Sequence, residues 1–288
     1  MVTSTPRPRQ SALALALQRI LRKPSSRVAL VILGVIVLVG ILAPLIAPYD
    51  PAGQPDIVAL KDLPPSLAHP FGTDPYSRDV FSRVIYGARL SLMIGFLATL
   101  VSLTLGVAYG AIAGYAGGIV DTIMMRILDA FLAIPRLLLL LGILVAWPQL
   151  SIGALVLFLG LTGWFGLSRI VRGQVLALKH AEFVTAARAL GASSRRILVM
   201  HLLPNLISPI VVAATLGVAH VIVLEAGLSY LGIGVPQPLA SWGNIIQDGA
   251  DQVATLWWMS LFPGLFMVST VMTLNVLGEA LRDTYDRR

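Results

Sequence analysis

Six windows of mostly apolar residues, each about as long as a bilayer-crossing helix needs, are spaced along the chain between shorter polar or basic segments. They are Val28–Ala47, Leu90–Gly114, Ile127–Trp147, Ser151–Ser168, Leu206–Tyr230 and Trp257–Gly278. Backbone polar groups in hydrocarbon must be paired internally, so the pattern predicts a bundle of six transmembrane helices. The third window is the least clean, because Asp129, Pro135 and Arg136 lie inside it. In "GVAYGAIAG", Gly106, Gly110 and Gly114 recur every four residues and give one flat helix face. Such a face predicts close helix packing, first within this subunit and alternatively at a dimer contact.

Composition agrees with a membrane protein. Of 288 residues, 57% are hydrophobic and 12% charged, whereas soluble domains average about one-quarter charged. No cysteine is present, which excludes disulfides and cysteine-based zinc or iron–sulfur sites. The net charge of +7 raises the question of nucleic acid, but its distribution answers otherwise. Arg7, Arg9, Arg19, Arg22, Lys23 and Arg27 precede the first window, and Arg126 sits at the start of the third. Arg169, Arg172, Lys179, Arg188, Arg195 and Arg196 lie between the fourth and fifth, and Arg282, Arg287 and Arg288 follow the sixth. With both termini cytoplasmic, these sixteen of the 21 basic residues fall inside, as the positive-inside rule requires. Lys61, Arg78, Arg83 and Arg89 remain outside, together with seven aspartates. The charge is thus explained by a bilayer, with no nucleic acid. A cleaved signal peptide is the rival reading of the N-terminal region; the length of its apolar run and the lack of an A-x-A site favour a retained anchor.

The organisation that follows is a cytoplasmic segment over 1–27, a first membrane helix over 28–47 and an extracytoplasmic loop over 48–89. A five-helix core over 90–278 and a cytoplasmic tail over 279–288 complete it. Motifs for chemistry are missing: there is no phosphate loop, no G-x-S-x-G elbow and no H-E-x-x-H. His69, His180, His201 and His220 have no metal-ligand spacing. The chain is expected to be no enzyme, with no catalytic residue, metal or cofactor of its own.

One cytoplasmic stretch stands apart, "EFVTAARALGASSRRILVMHLLPN", Glu182 to Asn205. Phe183, Ala186, Ala187 and Leu190 recur at helical spacing, with Glu182 and Arg188 on other faces. Gly191 follows where a helix would end in the left-handed conformation, and Ser193 or Ser194 is placed to cap a second helix. Pro204 is expected to end or kink that helix. An interfacial helix drawn to anionic lipid is the plainer reading. Small alanines and a glycine turn offer more detail than lipid requires, because they allow a protein partner close approach.

The same stretch resembles the E-A-A-x-x-x-G-x9-I-x-L-P signature of ATP-binding-cassette importer permeases, in the version of dipeptide and oligopeptide permeases. Ala186 and Ala187 match the alanines, Gly191 the glycine, and Leu203–Pro204 the closing pair. Thr185 stands in place of the glutamate and His201 in place of the isoleucine. Met125–Leu141, His69–Leu92 ("HPFGTDPYSRDVFSRVIYGARLSL") and Glu225–Gly243 ("EAGLSYLGIGVPQPLASWG") are similar to further blocks of the C-type peptide permease subunit. The resemblance implies the type I importer permease fold, with six membrane helices and both termini cytoplasmic. It also implies a coupling helix over about 181–191, with Glu182, Phe183, Thr185, Ala186, Ala187, Arg188, Leu190 and Gly191 as its contact residues. Implied partners are two cytoplasmic ATPase subunits that use ATP and Mg, a second and non-identical permease subunit, and an extracytoplasmic substrate-binding protein. The expected setting is a bacterial or archaeal plasma membrane. Cargo stays open among dipeptides, longer peptides, nickel complexes and other small solutes. An ion-coupled secondary transporter is the alternative of a different class, but the halves show no clear repeat.

Charges at membrane depth are functional candidates, and Asp129, Arg136 and Glu225 qualify. Asp129 and Arg136, seven residues apart, are expected to share a helix face; Arg126 and Asp129, three apart, are spaced to pair. Each charge is either paired to a neighbouring helix or placed at the pathway or its gate.

Overall fold

The computed structural model describes residues 23–147 and 151–286. Arg7, Arg9, Arg19, Arg22, Arg287 and Arg288 lie outside the described residues. Among those described, the chain is helical and has no strand. The elements are α1 (Pro24–Ile41), α2 (Val80–Ala116), α3 (Gly118–Leu132), α4 (Arg136–Ala146), α5 (Ile152–Leu161), α6 (Phe165–Leu178) and α7 (Glu182–Ala189). They continue with α8 (Ser194–Tyr230), α9 (Trp242–Asp248) and α10 (Trp258–Asp286). Four helices, α1, α2, α8 and α10, are long and apolar enough to cross a bilayer by themselves. Two bent pairs, α3 with α4 (74°) and α5 with α6 (42°), pass the same test of length and composition jointly, and with each pair counted as one span the number is six.

The boundaries have local causes. The Asp79 carboxylate accepts from the Ser82 amide at 2.7 Å and opens α2 ten residues before the apolar window begins. Those ten residues belong to the segment expected as loop over 48–89; Arg83 and Arg89 lower its hydropathy without disturbing its helicity. Gly117, at φ +67°, ends the helix.

The third span is not one helix. Its halves meet at 74° across Ala133–Pro135, because Pro135 has no N–H to continue the ladder and sits at the N-cap of α4. Asp129 and Arg136 therefore do not share a helix face. Pro204 has the opposite outcome. Instead of ending its helix it is absorbed by six residues of wider π turn, Ile197–Leu202, followed by a tight turn, Leu203–Leu206. Asn205 Nδ2 donates to the His201 carbonyl at 2.6 Å within this stretch.

α2 is the central helix and touches α1, α5, α6 and α8. Its glycine face is buried against α6. A Cβ on Gly106 would stand 2.9 Å from Leu167 Cδ2, and one on Gly114 2.9 Å from the Arg172 carbonyl. On Gly110 it would run into the Ser168 carbonyl. The flat face thus serves packing inside this subunit.

Candidate functional site

The stretch from Lys179 to Leu206 forms one end of the molecule. α7 opens with Glu182 in its first turn and closes with Arg188 in its last, the arrangement the helix dipole favours. The Thr185 hydroxyl back-bonds to the Ala181 carbonyl at 3.3 Å. Val184 and Ala187 point inward and join Ala111, Val171, Val175, Ile197, Leu202 and Leu206 in one apolar cluster. Gly191, at φ +80°, turns the chain, and the Ala192 amide donates to the Ala187 carbonyl at 3.0 Å. Ser193 Oγ then accepts from the Arg196 amide at 3.3 Å and starts α8.

This geometry divides the sequence-predicted residues into two sets. Glu182, Phe183, Thr185, Ala186, Arg188, Leu190 and Gly191 are exposed, and Leu190 shows 89% of its surface. Ala187 is only 8% exposed, so its small size serves the packing beneath the helix rather than the surface above it. Leu203 packs half-buried against the same cluster, while Pro204 is exposed. The result is a short helix anchored from below that exposes an apolar tip and a flat alanine.

The three membrane-depth charges fall in different places. Asp129 pairs with Arg169 of α6 at 2.5 Å, not with Arg126. Both side chains are about half exposed within this chain. Arg136 crosses from the α3–α4 break to the α5–α6 break, where Nη2 donates to the Leu159 carbonyl at 2.8 Å and Nε to Thr162 Oγ1 at 3.3 Å. Glu225 is fully buried among hydroxyls. Ser229 donates to it at 2.6 Å and Ser91 of α2 at 3.3 Å, and the Trp242 amide of α9 in turn reaches Ser91 Oγ at 3.4 Å. Glu225 is thus a joint between α2, α8 and the start of α9.

Sequence reasoning missed a buried ionic cluster at the opposite end. Arg78 Nε donates to Asp74 at 2.6 Å and its Nη2 to Asp248 at 2.8 Å; Arg83 Nη1 donates to the same two carboxylates, at 2.8 Å for Asp248. Arg78 also reaches Gln237 at 2.9 Å, and His69 meets Asp79 at 2.9 Å. The near balance of aspartates and basic residues in 48–89 was the available signal. Its partner Asp248, far along the chain, was not visible from spacing. Beside this cluster a cavity of about 440 Å³ opens between the end of α4 and the 232–237 turn, lined by Trp147, Ile233, Gln237 and Asn244 among others. Among the described residues no group of three or more His, Cys, Asp or Glu is placed to hold a metal.

Known proteins supply the family. Residues 106–288 match the family described as "Binding-protein-dependent transport system inner membrane component", and residues 11–65 match the "N-terminal TM domain of oligopeptide transport permease C". The oligopeptide transport system permease protein OppC of Bacillus subtilis is 43% identical over 259 residues, 90% of this chain and 84% of that protein. The dipeptide transport system permease protein DppC of the same organism is 39% identical over 284 residues, 98% of this chain and 88% of that protein. A chain in an inward-facing structure of the MetNI methionine ABC transporter has the same fold, with a TM-score of 0.57 at 18% identity over 70% of this chain and 96% of that one. The chain belongs to the binding-protein-dependent transport inner membrane components, as an ABC-transporter permease of the branch that holds the C-type oligopeptide and dipeptide permeases.

Proposed function

We propose that this chain is one of two non-identical permease subunits of an ATP-driven importer of dipeptides or oligopeptides. It forms half of the passage across a bacterial or archaeal plasma membrane. Both termini lie in the cytoplasm, as the basic residues around α6, α7 and the tail favour. The segment over 48–89 and the turn before α9 lie outside, where they meet a substrate-binding protein.

The observation that carries the reading is the split of α7 into an anchored and an offered face, with Leu190 89% exposed next to the Gly191 turn. A chain without a phosphate loop must receive its work through a contact, and an exposed leucine at the tip of an anchored helix suits one. Glu182, Phe183, Thr185, Ala186, Arg188, Leu190 and Gly191 are the contact residues towards a cytoplasmic ATPase subunit, with Ala187 supporting them from within. ATP and Mg belong to that subunit. Closure of the two ATPases would draw the coupling helices together and tilt α6 and α8, which flank α7, so that the passage opens outward; hydrolysis resets it. Asp129 and Arg136 lie along the passage.

The test is reconstitution. The complex should copurify with two ATPase subunits and, in proteoliposomes, take up radiolabelled dipeptide or tripeptide only with ATP and the binding protein. Uptake driven by an ion gradient without ATP would overturn the reading and restore the secondary-transporter alternative.

A further inference from the structure

The two broken spans meet at their breaks, and Arg136 joins them. Its Nε and Nη2 lie on one edge of the guanidinium and are taken by Thr162 Oγ1 and the Leu159 carbonyl. Both acceptors are neutral. Among the described residues no carboxylate pairs with Arg136: Asp129 and Asp121 are taken by Arg169 and Arg172, and Glu225 by serines. Gly163 makes the approach feasible, since a Cβ there would stand 3.0 Å from Arg136 Nη2 and collide with Ser102 Oγ.

A cavity of about 70 Å³ adjoins the guanidinium, lined by Thr99, Ser102, Gly163, Gly217 and His220 as well as Arg136. That is the space of about two water molecules, enough for a small polar head but not for a whole solute. Thr99 is 4% exposed, and its Oγ1 is buried with no hydrogen-bond partner. A buried hydroxyl left unpaired costs about 1–3 kcal/mol, so Thr99, one of the lining residues, is short of one hydrogen-bond partner. The wall therefore combines a cation without a counter-ion, a free hydroxyl and an imidazole.

We propose that this cavity is a transit subsite for the carboxylate of the cargo, resting on the peptide-importer reading above. The terminal carboxylate of a passing peptide accepts from Arg136 Nη1 and Thr99 Oγ1, with His220 on the same wall. The neutral acceptors behind Arg136 hold the guanidinium in position without neutralising it. A fixed carboxylate would trap the charge permanently, whereas a moving one is held briefly and released, which conduction through a passage requires. The charge at membrane depth is thus balanced only while cargo is present.

The experiment uses the complete transporter in proteoliposomes with its binding protein saturated, and two probes: trialanine and its C-terminal amide. Each variant is compared with wild type separately for each probe, so any preference of the binding protein cancels. Arg136→Gln should lower trialanine uptake about tenfold, the scale of one charged hydrogen bond, while amide uptake stays within about twofold. Arg136→Lys should restore most of the trialanine uptake, and Thr99→Val should lower it about threefold without affecting the amide. Equal changes for both probes overturn the proposal. An equal fall would mean that Arg136 only ties the two breaks together or meets a carboxylate of the second permease. Wild-type transporter that carries neither probe would instead remove the peptide reading itself, and the subsite's ligand with it.

Discussion

Arg83 and Asp248 lie 165 residues apart in the chain and are joined by a 2.8 Å ion pair in which neither side chain is more than 6% exposed. With Arg78 and Asp74 they form a ring of two cations and two carboxylates that binds the first turn of α2 and the segment before it to the end of α9. Asp74 is further held by the Tyr76 and Arg78 amides, both at 2.9 Å. Buried ion pairs contribute less by their attraction than they cost when one partner is removed.

Asp248→Ala should therefore be severe. It leaves two buried guanidinium groups sharing one carboxylate, and Arg83 already has Nε and Nη2 without partners. The expected loss is about 3–5 kcal/mol, read as a lower thermal midpoint of the detergent-purified protein. An unchanged midpoint would mean that the ring is not closed in the folded protein.

The α2–α6 seam makes a paired prediction. Gly110→Ala drives a methyl into the Ser168 carbonyl and should cost about 1–3 kcal/mol of stability. Gly173→Ala, on α6 with nothing within 4 Å of the new carbon, should be neutral or stabilise by up to about 1 kcal/mol. Thermal melts of the two variants side by side decide it; equal effects would count against the seam.

On α7 the neighbouring alanines should behave differently. Ala186→Asp and Leu190→Asp alter only exposed surface, so the protein should stay folded while substrate-stimulated ATP hydrolysis in the reconstituted complex falls about tenfold or more. Ala187→Asp puts a carboxylate into the cluster of Val171, Val175 and Ile197 and should lower the melting point as well. Ala186→Asp with normal stimulated hydrolysis would remove α7 as the coupling contact.

Glu225→Leu should destabilise by about 1–3 kcal/mol, because Ser91 and Ser229 lose a buried acceptor. Glu225→Gln retains a carbonyl acceptor at the same place and should keep both stability and uptake. A melt of Glu225→Leu matching wild type would show that the hydroxyls find partners elsewhere.

These residues also show how far the chain could be read in advance. The apolar spans were legible because bilayer length and apolar composition leave few alternatives, and the α7–Gly191–α8 pattern because caps and glycine turns are local. The 74° turn at Ala133–Pro135 was legible only as an irregularity. Proline marks where a helix ladder fails, but it does not by itself fix the angle at which the next helix departs. Ala186 and Ala187 match the same motif equally well; which one faces inward depends on where Val171 and Ile197 sit. The ionic ring was hidden because Asp248, the carboxylate that closes it on Arg78 and Arg83, is brought to them only by the folded bundle.

The irregular stretch around Pro204 has a mechanical consequence. Since the π turn absorbs the proline rather than breaking the helix, α8 continues for 37 residues, about 55 Å measured along its path. One end follows the Gly191 turn beneath α7, and the other is clamped near Glu225 through Ser91 and Trp242. A lever of that length converts a tilt of about 5° into a displacement of roughly 5 Å at its far end. On the coupling proposed for α7, work delivered at one face of the membrane is read out at the other without any helix in between having to unfold.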